Sequence, residues 1–178
     1  MSQSSCFGMA GHLAAMSEFL LRGYNVALPF VDRGDDILTI EDADSLIRRV
    51  QVKTSNTVLR GTTIRLKYKL KARQLHTPDR ETQLFYMFMW RNVARWHWIL
   101  VSRGQLNDIR VEAENRRNTL RNRCNELTLD IRLDTADAEP ILWGQSLAPY
   151  HNHWTADWAP LGLIPDEPRG VDLPPQHP

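Results

Sequence analysis

Cysteine is nearly missing from this chain: Cys6 and Cys124 form no CxxC pair and no Cys/His spacing of the zinc type. Two thiols are too few to staple a fold, so both are expected to be free and the core must be apolar. Long hydrophobic runs are missing too. The longest, 84–90, is strand-sized and far from the roughly 20 residues of a membrane-spanning helix. The N-terminus has no basic segment followed by an apolar one, so a cytoplasmic protein with no membrane partner is expected. Charge of one sign is also lacking. Lys and Arg number 22 against 21 Asp and Glu, a net charge of +1, so a nucleic-acid partner would have to be held by a local patch. Finally, no GxGxxG, GxxxxGK[ST] or GxSxG occurs, which leaves dinucleotide, phosphate-loop and serine-hydrolase readings without an anchor.

What is present is an ordinary globular composition, 42% hydrophobic and 24% charged over 178 residues. That length suits one domain, expected over 1–164, followed by a proline-rich and mobile tail over 165–178. Met9, Leu13, Met16 and Leu20 recur at helical spacing and Gly23 follows as a stop, which predicts a helix over 8–22. Three runs of strand character follow, 25–31, 37–41 and 46–54, then a loop around 56–61. From Ile64 to Arg73 apolar and basic residues alternate as one strand. The aromatic runs 84–90 and 96–102 predict a hairpin in which Trp90, Trp96 and Trp98 are core. A second helix is expected over 104–124, its acids preceding its arginines, then a strand over 127–133 and a short helix over 146–154. The order is that of an α/β (α+β) domain with a central mixed sheet flanked by helices.

The phrase RVQVKTSN, residues 49–56, places Gln51 and Lys53 on one strand face and Val50 and Val52 on the other. Upstream, DRGDDILTIE delivers Asp36 to the start of a strand, fifteen positions before Gln51. An antiparallel pairing would bring a carboxylate, an amide and an ammonium together. Asp36 and the Gln51 amide oxygen could serve a magnesium ion that keeps several waters, with Lys53 beside a phosphate, which suggests phosphodiester hydrolysis. Lys53 also has a structural reading, as an edge-strand lysine that blocks sheet pairing.

Taken in order and spacing, GHLAAMSEFLLRGYNVALP, DRGDDIL and VQVKTS resemble the PD-(D/E)XK nuclease superfamily in its restriction-endonuclease-like and Holliday-junction-resolvase-like flavour. The resemblance covers roughly residues 8–55. It implies that Asp36 matches the metal-binding aspartate, Gln51 the Glu/Gln position and Lys53 the lysine, with Mg2+ or Mn2+ as cofactor. Where many members carry Gly-Glu on the first helix this chain has Gly11-His12. His12 could bind a transition metal or act as a base, or be a helix-surface histidine.

The face formed by Arg65, Lys67, Lys69, Lys71 and Arg73 repeats at two-residue intervals, roughly 6 to 7 Å, comparable to phosphate spacing along a strand. It is expected to grip nucleic acid. Trp143, Trp154 and Trp158, with the HNHW phrase, are expected to pack a C-terminal segment rather than bind metal. Two functional classes follow. One is a metal-dependent endonuclease acting on DNA, with RNA an alternative partner and a homodimer left open. The other is a catalytically inactive relative serving as a nucleic-acid or protein-binding module.

Overall fold

The densest apolar alternation in the sequence lies in 84–102, and these residues form the buried centre of a computed structural model that describes residues 3–30, 35–41, 46–76, 83–117, 126–134, 138–155 and 158. Strands β6 (Leu84–Asn92) and β7 (Arg95–Ser102) make the expected hairpin, turning over Val93 and Ala94. Trp90 and Trp98 are core and Trp96 is partly buried. Strand β3 (Leu46–Ser55) runs parallel to β6, placing Gln51 beside Tyr86 and Lys53 beside Phe88. Strands β1 (Asn25–Ala27) and β2 (Ile37–Glu41) complete an antiparallel edge, giving a mixed sheet in the order β1-β2-β3-β6-β7. The strand expected over 25–31 stops at Ala27, two residues before Pro29, which has no N–H to offer a ladder.

A second, wholly antiparallel sheet, which the sequence did not announce, covers one face of the first. Its order is β10-β9-β8-β5-β4, from β4 (Val58–Arg60), β5 (Thr63–Lys71), β8 (Glu126–Leu133), β9 (Ile141–Leu142) and β10 (Gln145–Ser146). The expected loop at 56–61 is instead the β4–β5 turn, where Gly61 takes the left-handed conformation (φ 62°) that a two-residue hairpin needs. Leu66, Tyr68 and Leu70 face inward and meet Tyr86, Phe88 and Trp90. Helix α3 (Arg103–Arg117) adds Leu106 and Ile109 to this core, and the short α2 (Ala72–His76) adds Leu75. Residues 118–124 of the expected helix, with Arg121, Arg123 and Cys124, lie outside the described residues, as does the tail. The helix expected over 146–154 shrinks to one 3-10 turn, Ala148–Tyr150.

Helix α1 (Gln3–Leu21) lies on the other face of the mixed sheet. Its end is capped at Gly23 (φ 88°), where the Gly23 N–H donates to Leu20 O at 2.9 Å and the Tyr24 N–H to Phe19 O at 3.2 Å. The buried stripe is Gly11, Ala15 and Phe19 rather than Met9, Leu13 and Leu20, which are exposed. Small residues win because the helix sits close to the sheet: a Cβ on Gly11 would lie 2.2 Å from Thr54 Oγ1. Trp158, fully buried, closes this layer against Phe19, Tyr24 and Phe85, so the Trp-rich segment packs as expected.

Candidate functional site

Strand β2 pairs with β3 only as far as Ile37 opposite Val50, so the later residues of β3 lose their neighbour on that side. Asp36 takes up the exposed ladder. Its N–H donates to Val50 O at 3.0 Å, and its Oδ2 accepts the Val52 N–H at 2.7 Å. The carboxylate is therefore fixed on the edge of β3, at the peptide linking Gln51 to Val52. From the helical layer His12 Nε2 approaches the same oxygen at 3.9 Å, beyond hydrogen-bond length but within reach of an electrostatic pair when protonated. Asp35, the preceding residue, is paired with Arg49 at 3.5 Å. Asp32 lies outside the described residues.

Gln51 and Lys53 share the face of Tyr86 and Phe88, turned away from α1. Asp36 and His12 are thus adjacent, whereas Gln51 and Lys53 flank in sequence the Val52 whose N–H holds the carboxylate. Gln51 is only 4% exposed and its Oε1 finds no hydrogen-bond partner among the described residues. An amide oxygen left bare in a core costs about 1–3 kcal/mol. Lys53 is partly buried and makes no ion pair among the described residues.

Ser55 serves the fold, since its hydroxyl donates to Asn56 O at 3.1 Å and accepts the Lys67 N–H at 3.1 Å, tying β3 to the second sheet. Thr54 faces Gly11 across the helix contact. Glu18 is partly buried, and burial raises its pKa while Arg22 pulls it back. Among the described residues no three His, Cys, Asp or Glu side chains gather as metal ligands. His151, from the HNHW phrase, stacks on Trp90 at 5.2 Å instead.

The basic strand is real but its charge is shared. Arg65, Lys67, Lys69 and Lys71 all lie on the outward face of β5, yet β8 lays carboxylates beside them. Arg65 is bound in a forked ion pair to Asp130, and Lys69 meets Glu126 at 2.9 Å. Lys67 and Lys71 keep exposed ammoniums without an ion pair among the described residues. Arg73 is corrected: it belongs to α2, because the strand ends at Lys71 and the chain turns into a helix at Ala72. Sequence reading also missed Arg60 and Arg132, which flank Arg65 on the same sheet face. The outward alternation of Thr128, Asp130 and Arg132 in β8 carried that signal.

Neither family models nor a sequence search of curated proteins returns a match. Among solved structures, the chain is similar to a bacterial homing endonuclease, I-Ssp6803I, at 18% identity and a TM-score of 0.44, over 72% of this chain and 76% of that one.

Proposed function

We propose that this chain is a PD-(D/E)XK-like protein that binds DNA and hydrolyses its phosphodiester backbone with a divalent metal ion. The observation that carries the reading is the Asp36 carboxylate locked on the Val52 N–H at 2.7 Å, between Gln51 and Lys53 in the strand.

The donor set fits a hard cation of the magnesium type. Asp36 would offer a carboxylate and Gln51 its buried amide oxygen, which has no partner among the described residues; both are the hard oxygen donors that such an ion takes. When bound, the ion polarises the phosphate and lowers the pKa of water. The chain's own residues do the rest. The Val52 N–H holds Asp36 in one orientation, so the carboxylate needs no reorganisation when substrate arrives. Lys53 brings a positive charge to the phosphoryl oxygens as negative charge grows there. His12, beside Asp36 Oδ2, accepts the proton that water loses as its oxygen bonds to phosphorus. The P–O ester bond breaks, the leaving alkoxide takes up a proton from solvent water, and His12 returns its proton to solvent.

A second reading, a non-catalytic nucleic-acid or protein-binding module on the same fold, is favoured by one observation: among the described residues no cluster of three ligating side chains gathers around Asp36. The test of both is incubation of the protein with single-stranded, duplex and branched DNA and with RNA, in magnesium or manganese. Asp36→Ala and Lys53→Ala run alongside. Cleavage by the parent that both substitutions abolish supports the nuclease, whereas binding without cleavage under every condition supports the module.

A further inference from the structure

On the outward face of the second sheet, away from Asp36, lies a cavity of about 430 Å³ lined by Arg60, Thr63, Arg65, Arg132, Asp134 and Glu139. That volume falls within the roughly 300–1,000 Å³ of small-molecule sites. Sheet register brings the cations together. Arg65 stands directly opposite Arg132, and Arg60 opposite Thr63, two residues before Arg65 on the same face. Like charges directly opposed across a ladder destabilise it. Asp130 relieves Arg65, but Arg132 and Arg60 have no ion pair among the described residues. Two guanidiniums and the Thr63 hydroxyl are therefore left facing the cavity beside a third, neutralised one.

Two carboxylates share that cavity without neutralising these arginines, since Asp134 and Glu139 also make no ion pair among the described residues. A bare anion would meet attraction from the arginines and repulsion from the carboxylates. A ligand with an anion at one end and N–H donors at the other satisfies both. Ile141, opposite Arg132, gives the wall an apolar surface for a flat ring.

We propose that this cavity is a nucleotide site, in which Arg60, Arg132 and Thr63 hold a phosphate and Asp134 and Glu139 accept N–H groups of the base. Guanine, with an imino and an amino donor on one edge, satisfies the pair of carboxylates best. A free mononucleotide and the phosphorylated end of a strand carry the same chemistry. The site requires nothing from Asp36.

Titration calorimetry on the full chain, with guanosine 5′-monophosphate, guanosine, inorganic phosphate, and a short oligonucleotide with and without a 5′-phosphate, tests this. The expected result is that the monophosphate or the phosphorylated oligonucleotide binds at least tenfold more tightly than guanosine or inorganic phosphate. Which of the two binds more tightly identifies the source. Arg132→Ala and Arg60→Ala, at exposed positions, should each weaken binding about tenfold, the loss of a charge-assisted hydrogen bond. Arg132→Lys should restore part of it. Inorganic phosphate binding as well as the nucleotide, or affinity unmoved by Arg132→Ala, would each overturn the proposal. None of these readouts involves cleavage, so they stand apart from the phosphodiesterase reading.

Discussion

Asp36 and Val52 are joined by a hydrogen bond from backbone to side chain at 2.7 Å, formed where β2 leaves the ladder and β3 continues alone. The strand edge that would otherwise carry an unpaired N–H is capped by an acid, and that acid is thereby set beside the peptide linking Gln51 to Val52. A structural need and a chemical opportunity coincide at one oxygen.

Gln51 should trade stability for ligand binding. Gln51→Met keeps the length and removes the bare oxygen, so without divalent ions it should stabilise the fold by about 1–2 kcal/mol. Manganese or magnesium should raise the melting temperature of the parent and leave the variant unmoved. Thermal unfolding with and without metal checks both halves, and a destabilised metal-free variant would show that Gln51 is satisfied in the parent.

Gly11 is held to glycine by Thr54. The Cβ of Gly11→Ala would meet Thr54 Oγ1 at 2.2 Å, Cγ2 at 3.1 Å and Cβ at 3.2 Å, so the threonine or the helix must shift. Loss of about 1–3 kcal/mol is expected from urea unfolding. Combining it with Thr54→Ala should cost less than the sum of the two single changes, and strict additivity would mean the two residues do not touch.

Tyr68 sets an alkaline limit. Its hydroxyl donates to Met89 O at 3.2 Å in the core between the sheets, and burial drives its pKa well above the usual value. The unfolded phenol ionises near pH 10 and the folded one only higher. Stability from this group is therefore fully present below about pH 10 and falls as pH rises from there towards the folded value. Tyr68→Phe should lose about 1 kcal/mol at neutral pH, the bond to Met89, and should flatten the decline above pH 10. An unchanged alkaline slope would place the ionisation elsewhere.

On the basic strand, position matters more than charge count. Lys67→Glu and Lys71→Glu should each weaken DNA binding and lower its salt dependence by about one unit of slope, whereas Arg65→Gln, already committed to Asp130, should change the slope little. Fluorescence anisotropy across a salt series reads this directly. Equal slopes for all three would contradict the account.

The sequence made β2, β3 and the β6–β7 hairpin legible because their alternation is strong and local. It pointed to Asp36, Gln51 and Lys53 by spacing together with the resemblance of the phrases around them. The second sheet was hidden because its partner strands lie far apart in sequence: β5 pairs with β8 across more than fifty residues, so neither the acids beside Arg65 and Lys69 nor the arginine opposite Arg65 shows in the run of β5. The buried face of α1 was equally obscure. A helix apolar on nearly every side gives no moment to read, and only the close contact at Thr54 reveals that glycine and alanine, not leucine, face the sheet.

The central claim is that Lys53 and Asp36 act together on a phosphodiester. The most direct measurement is the rate of cleavage of labelled duplex DNA in manganese by the parent, Asp36→Asn and Lys53→Ala, each confirmed as folded by circular dichroism. Each substitution should lower the rate at least a hundredfold, about 2.7 kcal/mol of transition-state stabilisation, while DNA affinity stays within a few fold. Cleavage at the parent rate by either variant, or no cleavage by the parent, would contradict it.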